Sequence, residues 1–292
     1  AISADLFMSD PANVPVVDAS IYLWTHNTPI TANQYTSNDY AVYNYLGGTG
    51  TSSAVNSGVN NSIPNGKIAS GQSFFIKGLT NGNATFRNSM RLVGNNTQFF
   101  RLDENTTSNV QDFEKHRFWL DVIGNQNHYK QTLIGYCENA TNAMDRGFDS
   151  SFLPVGNVVD LYSINNNDKL SIQGRKLPFY TEDQVPLGFV SATTGNFTIR
   201  LYDYDGLFVN QNIYLKDNYL NVIHDLKMSD YNFVSTIGTF EDRFVVVYEN
   251  SFLSTSASVW NENSIVIYKP EDLIVVNSGS VTMKSIQVFD VR

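Results

Sequence analysis

The sequence predicts an all-β protein, and three observations carry that expectation. Apolar side chains recur with a period of two in short runs: Phe197, Ile199 and Leu201 alternate with Thr198, Arg200 and Tyr202, the spacing that turns one face of a strand toward a core. Between such runs stand Asn81-Gly82-Asn83, Gly94-Asn95-Asn96, Asn165-Asn166-Asn167 and Thr194-Gly195-Asn196, residues that supply the positive φ angles and side-chain caps of tight turns. Few windows carry a helix-period stripe longer than two turns, which argues against an α/β barrel or a doubly wound sheet.

Taken in order, IYLW at 21–24, SFFIK at 73–77, FWLDVI at 118–123 and RFVVVY at 243–248 are aromatic or β-branched runs of strand length. Residues 30–46 form the best helix candidate, because Thr31 is a suitable cap and Tyr35, Tyr40 and Tyr43 fall near one helical face. Residues 47–66 are Gly-, Ser- and Asn-rich, too poor in large apolar groups to pack, and read as a long loop. In NIYLKDNYLNVIHDLK two strand-like runs flank Asp217-Asn218, a hairpin turn. In TFEDRFVVVY, Phe240 and Phe244 are expected in the core, with Asp242 and Arg243 capping or pairing at a strand end.

A chain of 292 residues exceeds the usual single-domain size, so two β domains are expected, with one large sandwich as the alternative. Polar breaks at 102–114 and 250–263 divide it into two expected antiparallel β-sandwich, jelly-roll-like domains, 1–112 and 113–255, and a last β region, 256–292. That region ends in a strand-like SIQVFDVR, which reads as truncation. The start, AISADLFMSD, lacks the basic and apolar regions of a signal peptide and reads as a mature or fragment end.

The formal charge of −9 and the absence of a Lys/Arg stripe argue against nucleic acid as a partner. No apolar run approaches the ~18 residues that span a membrane. Cys137 is the single cysteine, so no internal disulfide staples the fold and no multi-thiolate zinc site exists. The flank LIGYCENA places it at a strand end as a small buried side chain, and His26, His116, His128 and His224 stand in no partner motif that would make it a nucleophile.

Longer segments carry a resemblance. KLSIQGRKLPFYTEDQVPLGF at 169–189, GNFTIRLYDYDGLF at 195–208, NIYLKDNYLNVIHDLKMSDYNF at 212–233 and GTFEDRFVVVY at 238–248 resemble the C-terminal region of flavobacterial (Bacteroidetes) proteins exported by the type IX secretion system with a type C sorting signal. IYLWTHNTPITANQYTSNDYAVYNYLGGTG at 21–50, IPNGKIASGQSFFIKG and ATFRNSMRLVGNNTQFFR within 63–101 are similar to the same group. SIVIYKPEDLIVVNSGSVTMKSIQVFDVR looks like the opening of the sorting domain, a small Ig-like β domain. The resemblance implies passage through the type IX machinery by way of the sorting domain, and a secreted or cell-surface location. It does not select an activity, since such regions lie downstream of both adhesive and enzymatic modules.

Residues that carry chemistry are sparse. Asp203 and Asp205, in Tyr202-Asp203-Tyr204-Asp205-Gly206, have the i, i+2 carboxylates of a calcium loop, but Tyr214 occupies the position of the bidentate Glu, so an acidic turn is the simpler reading. Asp145 and Asp149 form a second calcium candidate, with Arg146 between them able to neutralise both. The pairs Asp103/Glu104, Glu182/Asp183, Glu241/Asp242 and Glu271/Asp272 are adjacent, and neighbours in a strand point to opposite faces, so solvated turns explain them better than glycosidase acids. No GxSxG, HExxH, GxxxxGK[ST] or strand-to-helix GxGxxG occurs. Exposed aromatics offer a sugar-stacking platform, with Trp24, Tyr40 and Trp260 as the ligand-binding candidates and Tyr35, Tyr43 and Trp119 behind them. The expectation is therefore a non-enzymatic adhesion, assembly or display module, with surface glycans or copies of itself as partners. The alternative is the accessory region of a secreted polysaccharide-degrading enzyme whose catalytic domain lies elsewhere.

Overall fold

The computed structural model describes residues 1–25, 39–51, 63–93, 113–124, 128–154, 157–250, 266–268, 275–277 and 282–285. The protein is all-β. Its strands are β1 (Ile2–Ser3), β2 (Val17–Trp24), β3 (Tyr40–Asn44), β4 (Gly47–Thr49), β5 (Lys67–Ile68), β6 (Phe74–Gly78), β7 (Lys115–Ile123), β8 (Tyr129–Cys137), β9 (Ser150–Ser151), β10 (Val159–Asn165), β11 (Asp168–Lys176), β12 (Gln184–Ser191), β13 (Gly195–Tyr204), β14 (Tyr214–Asp217), β15 (Val222–Asp225), β16 (Tyr231–Ser235), β17 (Gly238–Val247), β18 (Val266–Tyr268) and β19 (Val275–Asn277). One short α-helix, α1 (Ala4–Ser9), is capped by Ser3 Oγ, which accepts from the Leu6 amide at 3.2 Å.

The largest sheet runs β15-β14-β17-β12-β10-β11-β8-β7-β13-β16, with β9 added beside β11. Its pairings are antiparallel except that β8 and β11 run parallel, a departure from the antiparallel sandwich that was expected. The sheet curls on itself: β7, β8, β10, β12, β13, β14, β16 and β17 all contribute to one apolar core. Phe189, Phe197, Phe233 and Phe244 meet there edge-on or tilted, with centroids 4.8–6.1 Å apart.

The two ends of this sheet, β15 and β16, are joined by side chains. Asp217 on β14 accepts from Tyr231 of β16 at 2.9 Å and from Arg243 of β17 at 2.9 and 3.1 Å. The same guanidinium donates to the Val234 carbonyl of β16 at 3.1 Å and lies 4.8 Å from the rings of Phe233 and Phe244. The ring of His224 on β15 packs at a tilt against Tyr231, with centroids 5.3 Å apart. Arg243 thus serves two roles that edge strands otherwise leave open: it pairs a buried carboxylate and satisfies an edge carbonyl.

The second sheet, β4-β3-β2-β6, is covered on both faces. Ala19, Ile21 and Leu23 of β2 pack with Phe7 and Met8 of α1. Tyr22 and Val42, on the opposite face, pack with Leu46, Trp119, Leu133, Cys137 and Ile172, most of which belong to the large sheet. Polar groups follow the same seam: Trp119 Nε1 donates to the Gly48 carbonyl at 2.8 Å, Arg117 to the Leu46 carbonyl at 2.8 Å, and the Gly50 amide to Gln131 Oε1 at 2.8 Å. Two small two-stranded sheets pair β1 with β5 and β18 with β19.

Residues Ala1–Glu249 form one compact unit and Asn250–Arg292 another. No division appears at the expected boundary near 112, because the even-numbered face of β2 is covered by residues that follow that boundary. The expected helix over 30–46 is corrected where it is described: Tyr40–Asn44 is strand β3, since Tyr, Val and Tyr suit a cross-strand pairing with β2 in which Tyr22 opposes Val42. The expected loop over 47–66 begins instead with strand β4. The hairpin around Asp217-Asn218 is present as β14 and β15, with Asn221 at φ 53° in its turn.

Buried carboxylates divide into two classes. Arg243 and Tyr231 hold Asp217 below the usual carboxylate range against the opposing effect of burial. Burial pushes Asp5 up to about 6, although Tyr43 donates to it at 2.9 Å, and pushes Asp149 up to about 7, although the Gly174 and Asp145 amides donate to its two oxygens. A raised carboxylate stabilises the fold below its unfolded value near 3.8 and withdraws that contribution as pH climbs through the folded value; a lowered one acts above 3.8 and is lost as pH falls. Unfolding measured by denaturant titration is expected to show maximal stability near pH 4–5, falling by a few kcal/mol on the order of one unit of pKa shift per ~1.4 kcal/mol toward pH 8. Asp217→Asn is expected to cost about 3 kcal/mol at neutral pH by stranding Arg243 and to flatten the acid limb; a flat profile in the parent protein contradicts the assignment.

Candidate functional site

The aromatic candidates Trp24 and Tyr40 are brought together. They oppose each other directly across β2 and β3, so both side chains leave the same face of the sheet. Two residues back on β2, Tyr22 shares that face and opposes Phe75 of β6. The Tyr40 and Phe75 rings meet edge to face, with centroids 5.5 Å apart and planes at 68°. Burial falls along the face, from Tyr22 in the core, through half-buried Trp24 and Tyr40, to Phe75, which is 60 % exposed on the edge strand.

Polar groups fix the ends of these strands. Gln72 Nε2 donates to the Trp24 carbonyl at 2.9 Å and to the Ser73 carbonyl at 3.0 Å. Thr25 donates both its amide and its hydroxyl to the Asp39 carbonyl at 2.8 Å, and Thr51 Oγ1 donates to Thr25 Oγ1 at 3.3 Å. The arrangement offers apolar ring faces beside hydroxyl and amide groups, a combination that receives the C–H face of a sugar or another flat ligand.

Phe75 is the residue that sequence reading missed. SFFIK was legible as a strand, and its period of two sends Phe74 and Phe75 to opposite faces; Phe74 joins the α1 side while Phe75 joins the aromatic face. Two other aromatics leave the candidate set. Tyr43 faces the α1 side and donates to Asp5, and Trp119 is buried in the seam between sheets. Tyr35 and Trp260 lie outside the described residues.

The calcium candidates stand apart from this face. Asp205 is held by Arg117, whose amide donates to Oδ1 and whose Nε donates to Oδ2, both at 2.9 Å. Asp203 stands next to last in β13 and accepts from the Tyr204 amide at 2.8 Å. At the second candidate, Arg146 turns away from Asp145 and Asp149 and donates to the Val17 and Met8 carbonyls, which corrects the expected neutralisation. The two carboxylates instead order their own loop: Asp145 accepts from Thr141, and Asp149 from Asp145 and Gly174. Among the described residues no group of three or more His, Cys, Asp or Glu side chains converges.

The adjacent acids behave as strand geometry demands. Glu241 binds Lys169 and Tyr162 at 2.5 and 2.8 Å, whereas Asp242 accepts from Tyr219 at 3.0 Å on the other side of β17. Asp183 takes a two-pronged contact from Arg175 at 2.7 and 2.8 Å and a Tyr136 hydroxyl at 2.8 Å. Cys137 is buried, and burial pushes its thiol up to about 12, as befits a packing side chain.

A family model described as a domain of unknown function, DUF8693, matches residues 1–248. The chain belongs to the DUF8693 family. The match ends beside Glu249, where the first compact unit ends, so both sheets and the aromatic face lie inside the DUF8693 domain. No curated protein and no solved structure matches the chain. No helix among the described residues of the DUF8693 protein is long and apolar enough to cross a membrane.

Proposed function

We propose that the DUF8693 chain is a non-enzymatic module displayed outside the cell, which engages a glycan through the Trp24–Tyr40–Phe75 face. The single observation that carries this reading is the gathering of those three side chains on one sheet face with Phe75 open to solvent. The internally bonded carboxylates support it from the other side: buried Asp149 and Asp217 and half-buried Asp183 serve backbone amides, tyrosines and arginines within the fold. A glycan-binding accessory region of a secreted polysaccharide-degrading enzyme makes the same use of the face, and the gene sequence upstream of Ala1 separates the two readings.

Stacking an aromatic ring on a sugar contributes about 1 kcal/mol beyond the area it buries. Binding to insoluble cellulose and chitin and to soluble xylan and alginate, followed by depletion and by tryptophan fluorescence, is expected to reveal at least one ligand. Phe75→Ala and Trp24→Ala are each expected to weaken it roughly ten-fold, equivalent to ~1.4 kcal/mol. Undiminished binding by folded Phe75→Ala protein sinks the assignment.

The export reading rests on the segments similar to type IX cargo, in particular the sorting-like end over 264–292. Removing that end together with whatever follows it in the gene is expected to strand the full-length protein in the periplasm of its own host, as read by cell fractionation. Continued surface delivery contradicts the route.

A further inference from the structure

An edge strand turns unpaired backbone groups outward, and folds blunt such edges by covering, bending or charging them. The two outer strands of the large sheet are bridged to each other through Asp217, Tyr231 and Arg243. In the second sheet, edge strand β4 lies against Pro64, whose carbonyl oxygen stands 2.6 Å from the place a Cβ at Gly48 would take. The opposite edge is β6, and among the described residues no strand pairs with its outer side. The register shows what that side presents. Leu23 opposes Phe74, and one step on the Trp24 amide donates to the Ser73 carbonyl at 3.4 Å. Bonded pairs alternate along an antiparallel ladder, so Ser73 and Phe75 turn their N–H and C=O groups toward β2 while Phe74 and Ile76 turn theirs outward. Side chains alternate as well: Phe75 and Lys77 stand exposed on the aromatic face, and half-buried Phe74 and Ile76 pack on the α1 side.

We propose that β6 pairs antiparallel with β6 of a second copy of this chain, about a two-fold axis through Phe75. In that register Phe74 opposes the partner's Ile76 in the hydrogen-bonded pairs, Phe75 opposes the partner's Phe75 in the close, non-bonded pair, and Ser73 opposes the partner's Lys77.

The run Ser73-Phe74-Phe75-Ile76-Lys77 selects its own copy as the occupant. Centred on Phe75, apolar side chains meet apolar ones on both faces, whereas a register centred on Ile76 sets Phe74 opposite Gly78 and one centred on Phe74 sets Ile76 opposite Gln72. Charge agrees with the same register. Lys77 is the single charged residue between Ile68 and Phe86 in a chain of net charge −9, so this edge escapes the repulsion that acidic surfaces impose on two copies. The two lysines stand at opposite ends of the strip, and each lies diagonal to the partner's Phe75, a ring whose face attracts a cation. The strip is short, well below the ~1,600 Å² of a standard interface, so the dimer is weak and concentration-dependent. Its consequence for binding rests on the glycan reading above: the two aromatic faces join into one that spans six strands, about 24 Å across, and suits an extended oligosaccharide.

Sedimentation velocity of the 292-residue chain over rising concentration tests the pairing. The expected result is a reversible shift from 32.7 kDa toward twice that mass. Ser73→Lys sets like charges opposite each other at both ends of the strip and is expected to weaken the dimer several-fold; Ser73→Glu faces the partner's Lys77 and is expected to tighten it, with the gain removed by salt. Phe75→Cys is expected to give a disulfide-linked dimer on mild oxidation, because the non-bonded pair brings the two positions within disulfide reach, while Cys137 is buried. A chain that stays at 32.7 kDa up to millimolar concentration overturns the proposal. A dimer that Ser73→Lys leaves intact and Phe75→Cys fails to link also overturns it, since that dimer forms through another surface. Glycan binding is read separately: a dimer that responds to Ser73→Lys but binds no glycan upholds the strand pairing and sinks only the reading of the ring face.

Discussion

Strand β2 is buried along both faces until its last residue, Trp24, and that double burial is the constraint from which the rest of the compact unit follows. A strand with an apolar partner on each side needs two covering layers. α1 supplies one, and β7, β8 and β11 supply the other. On the α1 side the packing is close enough that Gly147 stands at φ 88°, where an added Cβ would come within 2.4 Å of the Tyr45 ring. Where the covering thins, at Trp24 and Tyr40, the same face continues outward to Phe75. The candidate site is thus the unburied end of a packing surface, held in place by the buried part.

Charge is used inside this fold in place of backbone pairing. At the seam between β15 and β16, Asp217, Arg243 and Tyr231 bridge the sheet ends with hydrogen bonds that a continuous ladder would otherwise provide. Arg117 does similar work between sheets, since its guanidinium reaches Asp205 and the Leu46 carbonyl while lying 4.9 Å from the Trp119 ring. The buried Arg243–Asp217 pair is hydrogen-bonded at several points, the condition under which a buried ion pair recovers the cost of its desolvation. These side chains hold the shape on which the aromatic face depends.

Much of the architecture was legible because strand periodicity is a local property. The alternation at 197–201, the FWLDVI and RFVVVY runs and the Asp217-Asn218 turn each specify their own conformation within a few residues. Tyr40–Asn44 misled, since Tyr35, Tyr40 and Tyr43, spaced by five and three, fall near one helical face until a neighbouring strand is present to pair with them. The division at 112 misled for a related reason: IYLW reveals that β2 is apolar on both sides, but only the fold reveals that one covering layer comes from beyond residue 112. At the site, Trp24 and Tyr40 were nameable by type, while their meeting with Phe75 is set by register. The contact of Asp205 with Arg117 has no local signal, since the two lie 88 residues apart in sequence.

The central claim is that the two sheets form one cooperative body through the seam around Trp119 and Leu133. Comparing the unfolding of residues 1–250 with that of residues 113–250 tests it most directly. The account predicts one cooperative transition for the longer chain, and for the shorter one a loss of cooperative unfolding with exposure of the Trp119 indole to solvent. A shorter chain that unfolds cooperatively at the same denaturant midpoint as the longer one contradicts it.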